Sequence, residues 1–248
     1  FRSSIKVYRL SEMKYNNIDI LNYLDIFQIC DSTFPIGSFN HSFGMENYLY
    51  NNKIKKNSEF RTWFFNYFKT QFKYGEGLLI KLCYEAIEVQ EFEKLLIYDD
   101  IITKSTISLE TRQGTKLIAK QMLGLVLSIY DENIIFFKEY KQAIEKHQAY
   151  GNPAIVFSLI AHHKKLNMNE AFLLYGYSVG STLIQNAVRS VPLGQKDGQI
   201  TLNQLIKILN DLYGQISQIT NEYLGASVPG IELSQINHEI QEYRLFMS

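Results

Sequence analysis

The 248-residue sequence predicts one all-α domain of about ten helices. Three observations carry that prediction. Apolar residues recur at spacings of three and four along most of the chain, which is the period of a helix face. Only four prolines occur, and each falls between periodic stretches. No run alternates with the period of two that marks a half-buried strand, and the β-branched runs are short and sit inside helical periods. There is no internal repeat, low-complexity block or linker that would divide the chain.

The elements follow in order. Residues 1–17 are polar and mixed, and are expected to form a flexible N-terminal arm. The all-α domain is placed at 18–238, followed by a C-terminal tail at 239–248. From Leu21 to Phe34, the residues Leu21, Leu24, Phe27, Ile29 and Cys30 can share one apolar face. Pro35 and Gly37 break that helix. Ser38 or Asn40 can cap the next one, which carries Phe43, Met45, Tyr48 and Leu49. Ser58 reads as the N-cap of "EFRTWFFNYFKTQF". Gly75-Glu76-Gly77 marks a junction before "LLIKLCYEAIEV" and "EFEKLLIYDDIIT". The stretch "LETRQGTKLIAKQMLGLVLSIY" is long and strongly periodic. Asn133 can open "IIFFKEYKQAIEKH". Asn152-Pro153 places a proline at the first helical position of the next helix. Asn167 or Asn169 can cap "EAFLLYGYSVGSTLIQNAVRSV", which Pro192 stops. Asp197 can cap "GQITLNQLIKILNDLYGQISQI", and a Gly/Pro loop at 225–230 precedes a last helix near "IELSQINHEIQEYR".

Composition bounds the function. Lys plus Arg number 25 against 25 Asp plus Glu. That balance argues against a nucleic-acid binder, since phosphate affinity needs a clustered basic excess. The apolar runs are broken by Lys, Glu or Asn and fall short of a membrane span, and no signal-peptide apolar region opens the chain. Cys30 and Cys83 cannot make a disulfide framework; each reads as a core residue, and a reducing, cytoplasmic setting is expected.

Most chemical motifs fail on geometry. "GTK" at 114–116 lies mid-helix, where backbone N–H groups are already paired. "GEG" at 75–77 lacks the third glycine and the preceding strand of a dinucleotide site. His162 and His163 are helix neighbours that point about 100° apart, and read as a solvated helix end before Lys164-Lys165. Ser38, His41 and Glu46 could be cast as a hydrolase triad. A Ser and a His three residues apart in a tight turn rarely reach the required alignment. His41 and His238 look isolated, so no metal ligands are assigned. Gly176 and Gly180, four apart on one helix, allow another helix to approach, either within the chain or from a partner.

Four stretches resemble one known family. "DSTFPIGSFNHSFGMENYL" at 31–49 is similar to the signature of the urease accessory protein UreF family. Asp31, Ser32, Phe34, Pro35, Gly37, Ser38, Phe39, His41, Ser42, Gly44 and Glu46 fit its pattern. "ETRQGTK" at 110–116 looks like the family's Glu-x-Arg-x-Gly segment, and "QNAVRSVPLGQKDGQ" at 185–199 like its Ala-x-Arg-x-x-Pro-Leu-Gly-Gln segment. "PGIELSQINHEIQEYRLFMS" resembles the family's C-terminus, with Ile231-Glu232-Leu233 as a variation.

The resemblance implies a non-enzyme: a homodimeric scaffold that binds UreD (UreH in some species), recruits the GTPase UreG and helps deliver nickel to urease apoprotein. Nickel would be handled by the complex and GTP by UreG, with no tightly bound cofactor here. It implies a UreG-facing set of Phe39, Tyr48, Arg189, Pro192, Gly194 and Gln195. The UreD/UreH-facing tail would be Tyr243, Arg244, Leu245 and Phe246. The tail is apolar enough that Tyr243, Leu245, Phe246 and Met247 are expected to bury. The readings set against this are a hydrolase at Ser38/His41/Glu46 and a helical adaptor unrelated to urease.

Overall fold

A computed structural model describes residues 20–130, 133–191 and 193–248. The expected arm at 1–17 and the helix stop at Pro192 lie outside the described residues. Eleven α-helices and no strand occur among the described residues. They are α1 (Ile20–Cys30), α2 (Met45–Tyr50), α3 (Asn57–Tyr67), α4 (Leu78–Glu88), α5 (Phe92–Ser105) and α6 (Leu109–Ile129), followed by α7 (Phe137–Glu145), α8 (Pro153–His163), α9 (Met168–Ser190), α10 (Gln195–Ile216) and α11 (Pro229–His238). A π-helical stretch, Phe68–Gly77, joins α3 to α4, and 3₁₀ turns occupy Ser38–Asn40 and Asn221–Tyr223.

α8 runs through the middle. Every residue from Pro153 to Ala161 is buried, because its sequence is apolar on all sides and has no face to offer water. α4, α6 and α9 pack around it. One connected apolar core results. α3 and the π stretch send an aromatic ladder into it, with rings of Phe60, Phe64, Phe68 and Phe72 at 5.1–5.5 Å in i,i+4 steps. The ladder ends on Phe172 of α9, 5.6 Å away. The expected junction at 75–77 is a kink inside this helical path, where Gly75 leaves helical geometry.

The question left open by Gly176 and Gly180 is settled within the chain. A Cβ on Gly176 would lie 2.6 Å from Leu209, and one on Gly180 would overlap Leu205. The two glycines let α10 approach α9, and Gly198 of α10 returns the fit against Ile184. Cys30 and Cys83 are free and buried, and burial pushes the Cys30 thiol up to about 12.

Some caps occur as expected. Asn152 Oδ1 accepts from Ala154 N, and Asn167 forms a reciprocal capping box with Glu170. Others do not. Neither Ser38 nor Asn40 caps α2, whose N-cap is Gly44 in the left-handed region (φ 91°). Ser58 lies inside α3. Asn133 does not open α7, which starts after Phe136. Asp197 sits within the first turn of α10, its carboxylate drawn to Asn57 (2.7 Å) and Arg61 (3.3 Å) on α3. Tertiary partners outbid the local cap in that case. α1 stops at Cys30, not Phe34, and its expected apolar face is split: Leu21, Leu24 and Phe27 are exposed, while Ile29 and Cys30 are buried together with Ile26. Lys164 folds inward from the α8 terminus to Asp25, 2.7 Å away.

Candidate functional site

The stretch 31–49 runs from the end of α1 through a series of turns into α2. Asp31 Oδ1 accepts from Thr33 N (2.7 Å) and from its hydroxyl, and these bonds hold the Asp31 carboxyl below the usual range. Phe34 is buried and Pro35 exposed. Gly37, at φ 83°, starts the 3₁₀ turn that carries Ser38 and Phe39. Gly44 must be glycine twice over. Its φ is positive, and a Cβ would overlap the Ser234 hydroxyl of α11.

The C-terminal tail lies across this corner. Glu46 is its anchor. One carboxylate oxygen accepts from Leu245 N at 2.5 Å and the other from Phe246 N at 3.1 Å. Ser42 N donates to Ser248 O (2.6 Å) and Met247 N to Asn40 O (2.7 Å), so the last residues pair with 40–42 like a strap. His41, buried, places Nδ1 2.7 Å from the Ser248 hydroxyl. Its ring fills the space left by Gly114 of α6, where a Cβ would overlap it. Asn186 of α9 donates to His41 O at 2.9 Å, and the Arg189 guanidinium sits 5.6 Å above the Phe246 ring.

A histidine at the end of α11 ties these elements together. His238 is fully buried, with Nε2 2.9 Å from Glu46 Oε2 and Nδ1 2.9 Å from Glu110 Oε2. Arg244 of the tail donates to the other Glu110 oxygen at 2.5 Å. The row Glu46, His238, Glu110, Arg244 alternates in sign and is neutral when the imidazole is protonated. Burial opposes that charge, but the two carboxylate bonds outweigh it and hold the His238 pKa above the ordinary value. Burial likewise opposes the Glu46 carboxylate; His238 and the two tail amides outweigh it, and its pKa is lowered. His41 has no such carboxylate bond, and burial leaves its pKa below normal. Nearby, Glu239 caps α6 by accepting from Ser108 Oγ (2.8 Å) and Leu109 N (2.7 Å).

This geometry corrects several expectations. His41 and His238 are not isolated. Both nitrogens of His238 are taken by carboxylates, which makes an ion-pair row rather than a chelate, and no group of three or more His, Cys, Asp or Glu among the described residues is placed to hold a metal ion. The Ser38/His41/Glu46 triad does not assemble. His41 turns to Ser248, and Glu46 spends its oxygens on His238 and tail amides, leaving no acid–base–nucleophile relay. Within the tail only Phe246 of the four expected apolar residues is buried, since burial alternates along 245–248, with Phe246 and Ser248 inward and Leu245 and Met247 outward.

The other predicted residues do not form one contact set. Tyr48 packs on Trp63, with ring centroids 6.3 Å apart, and under the Lys53 ammonium. Phe39 is 44% exposed on the corner's rim. Gly194 and Gln195 are exposed at the start of α10. Sequence reasoning missed Glu110, Gly114, Asn186, His238 and Ser248 as site members. All five lie inside the quoted motif blocks, which was the available signal.

Behind the corner lie two adjoining cavities, each of about 60 Å³, that share Phe43, Glu76 and Thr115 as their common wall. The Gln71 Oε1 and Thr111 Oγ1 atoms face no hydrogen-bond partner, and both residues line the more polar cavity. Burial pushes the Glu76 carboxyl up to about 7, against a hydrogen bond from Tyr175.

Comparison with known proteins matches the UreF family profile to residues 54–206. The chain belongs to the UreF family. A urease accessory protein UreF from Streptococcus thermophilus (strain ATCC BAA-491 / LMD-9) is 49% identical over 234 residues, covering 94% of this chain and 98% of the relative. A protein of the same name from Bacillus sp. (strain TB-90) is 40% identical, covering 91% and 98% of the two chains. Another from Lachnoclostridium phytofermentans is 36% identical, covering 92% and 99%. In this UreF-family chain the four motif blocks, scattered from 31 to 248, converge in space: signature corner, α6 start, α9 end and tail share one hydrogen-bonded cluster. No helix among the described residues is long and apolar enough to cross a membrane.

Proposed function

We propose that this UreF-family chain is a non-enzymatic scaffold of urease maturation. It takes UreD/UreH on its C-terminal tail and recruits the GTPase UreG, regulating its hydrolysis of GTP while nickel passes to urease apoprotein. The observation that carries this reading is the two-sided tail. Its inner side is anchored through Glu46, His41 and Glu110, while Ile240, Tyr243, Leu245 and Met247 stand 58–83% exposed on the outer side. A row of apolar side chains held rigid by backbone bonds is costly to leave in water and pre-ordered for a partner.

The exposure of Phe39, Arg189, Gly194 and Gln195 supports their availability to UreG. Exposed Ile20, Leu24 and Phe27 on α1 support self-association. The paired cavities around Glu76, with two polar atoms lacking partners, support a hydrated route for nickel that needs no fixed ligand set.

Pull-down with purified UreD/UreH tests the tail. Deletion of 239–248 abolishes capture, and Arg244→Ala weakens it by at least about tenfold, a loss of ~1.4 kcal/mol. Wild-type capture by the truncated, folded chain would refute the tail reading.

A further inference from the structure

On a different face, α6 and α7 enclose a surface groove of about 480 Å³. Lys116, Lys120 and Lys141 line it beside Leu123, Ile144 and Tyr150. The chain as a whole is charge-balanced, so this concentration is local. Lys116 and Lys120 stand four apart on one helix face, where like charges repel. Lys141 is already paired with Glu145, 3.8 Å away, which lines the same groove. Lys116 instead lies over the Tyr150 ring, 4.4 Å from its centroid, and no carboxylate among the described residues pairs with Lys116 or Lys120. Among the described residues the Lys116 charge meets only the Tyr150 ring, and the Lys120 charge meets no carboxylate.

The wall of the groove is built in advance. Asp99, fully buried on α5, accepts from Tyr150 N at 2.6 Å and Gly151 N at 3.0 Å. Tyr140 OH accepts from Asn152 N at 3.0 Å. Gly151 is at φ 96°, in the left-handed region. A buried carboxylate thus holds the loop that presents Tyr150, and a ligand entering here meets a loop already ordered.

We propose that this groove docks an acidic segment of a protein partner, with carboxylates on Lys116 and Lys120 and an apolar side chain against Leu123 and Ile144. A protein segment fits better than a nucleic acid. The apolar floor rewards an aliphatic side chain, whereas a phosphate backbone needs a longer basic track. The groove and the C-terminal tail share no residue, so the segment is held separately from whatever binds the tail.

Fluorescence anisotropy on the full chain tests this. The probe is a short fluorescein-labelled peptide of alternating Glu and Leu. Its Gln-for-Glu counterpart and an oligodeoxynucleotide of similar length are the comparisons. The acidic peptide binds, weakens as salt is raised, and binds at least about tenfold more weakly to Lys116→Glu/Lys120→Glu. Binding is retained by Lys53→Glu/Lys56→Glu, which reverses a basic loop elsewhere. Circular dichroism melts check folding, and Lys116→Gln/Lys120→Gln replaces the Glu pair if that pair melts early. Absence of binding, equal binding of the Gln peptide, or indifference to the Lys116/Lys120 changes overturns the proposal. Equally tight binding of the oligonucleotide also overturns it and reassigns the groove to phosphate backbones.

Discussion

Replacing His238 by Ala removes the one cation between Glu46 and Glu110. The side chains of His238, Glu46 and Glu110 are 0%, 8% and 24% exposed, so water screens the lost interaction poorly. Breaking a buried pair by deleting one partner typically costs 3–5 kcal/mol. Here Glu46 keeps its two tail amides and Glu110 keeps Arg244, which moves the expected loss to about 2–4 kcal/mol. For a chain of this size that is a fall in Tm of about 5–15 °C. The loss depends on pH. The folded pKa of His238 is raised above 6.5, so its contribution is full below 6.5 and fades as pH rises through the folded value. The folded pKa of Glu46 is lowered from 4.5, so its contribution is full above 4.5 and fades as pH falls through the folded value. The row is therefore strongest between 4.5 and 6.5. Urea unfolding followed by circular dichroism, at about pH 6 and about pH 9, compares His238→Ala with the parent. The difference is expected to shrink at the higher pH. A loss under about 1 kcal/mol at pH 6, or an equal loss at both values, would refute the ion-pair reading.

Two further predictions use the glycines. Gly180→Ala overlaps Leu205 at the α9–α10 contact and should destabilise by about 1–3 kcal/mol in urea unfolding, whereas Gly214→Ala, which meets nothing within 4 Å, should stabilise by about 0.5–1 kcal/mol. Equal effects at the two sites would show that helix propensity, not the contact, decides. Gly114→Ala pushes on His41 and should loosen the Ser248 end of the tail; faster proteolysis of the C-terminus at unchanged helicity is the expected readout, and unchanged proteolysis would count against the packing account.

The sequence by itself determined the all-α class, most helix positions and the family. Those signals are local. A cap such as Asn167 acts within its own turn, Pro153 selects a first helical position, and an apolar period is read over a dozen residues. The same locality explains the misses. Ser58 and Asp197 have the chemistry of caps, but α3 begins one residue before Ser58, and Asp197 has better partners across the fold. Only tertiary structure could bring Glu46 to His238, 192 residues away, or Glu110 to Arg244, 134 away. Only it could turn Gly176 and Gly180 inward to Leu209 and Leu205 and leave Leu21, Leu24 and Phe27 of α1 outside. The physical reason is that a single buried charge is unfavourable wherever it stands in the sequence. It becomes a stable anchor only when packing delivers its counter-charge, and spacing along the chain carries no record of that meeting.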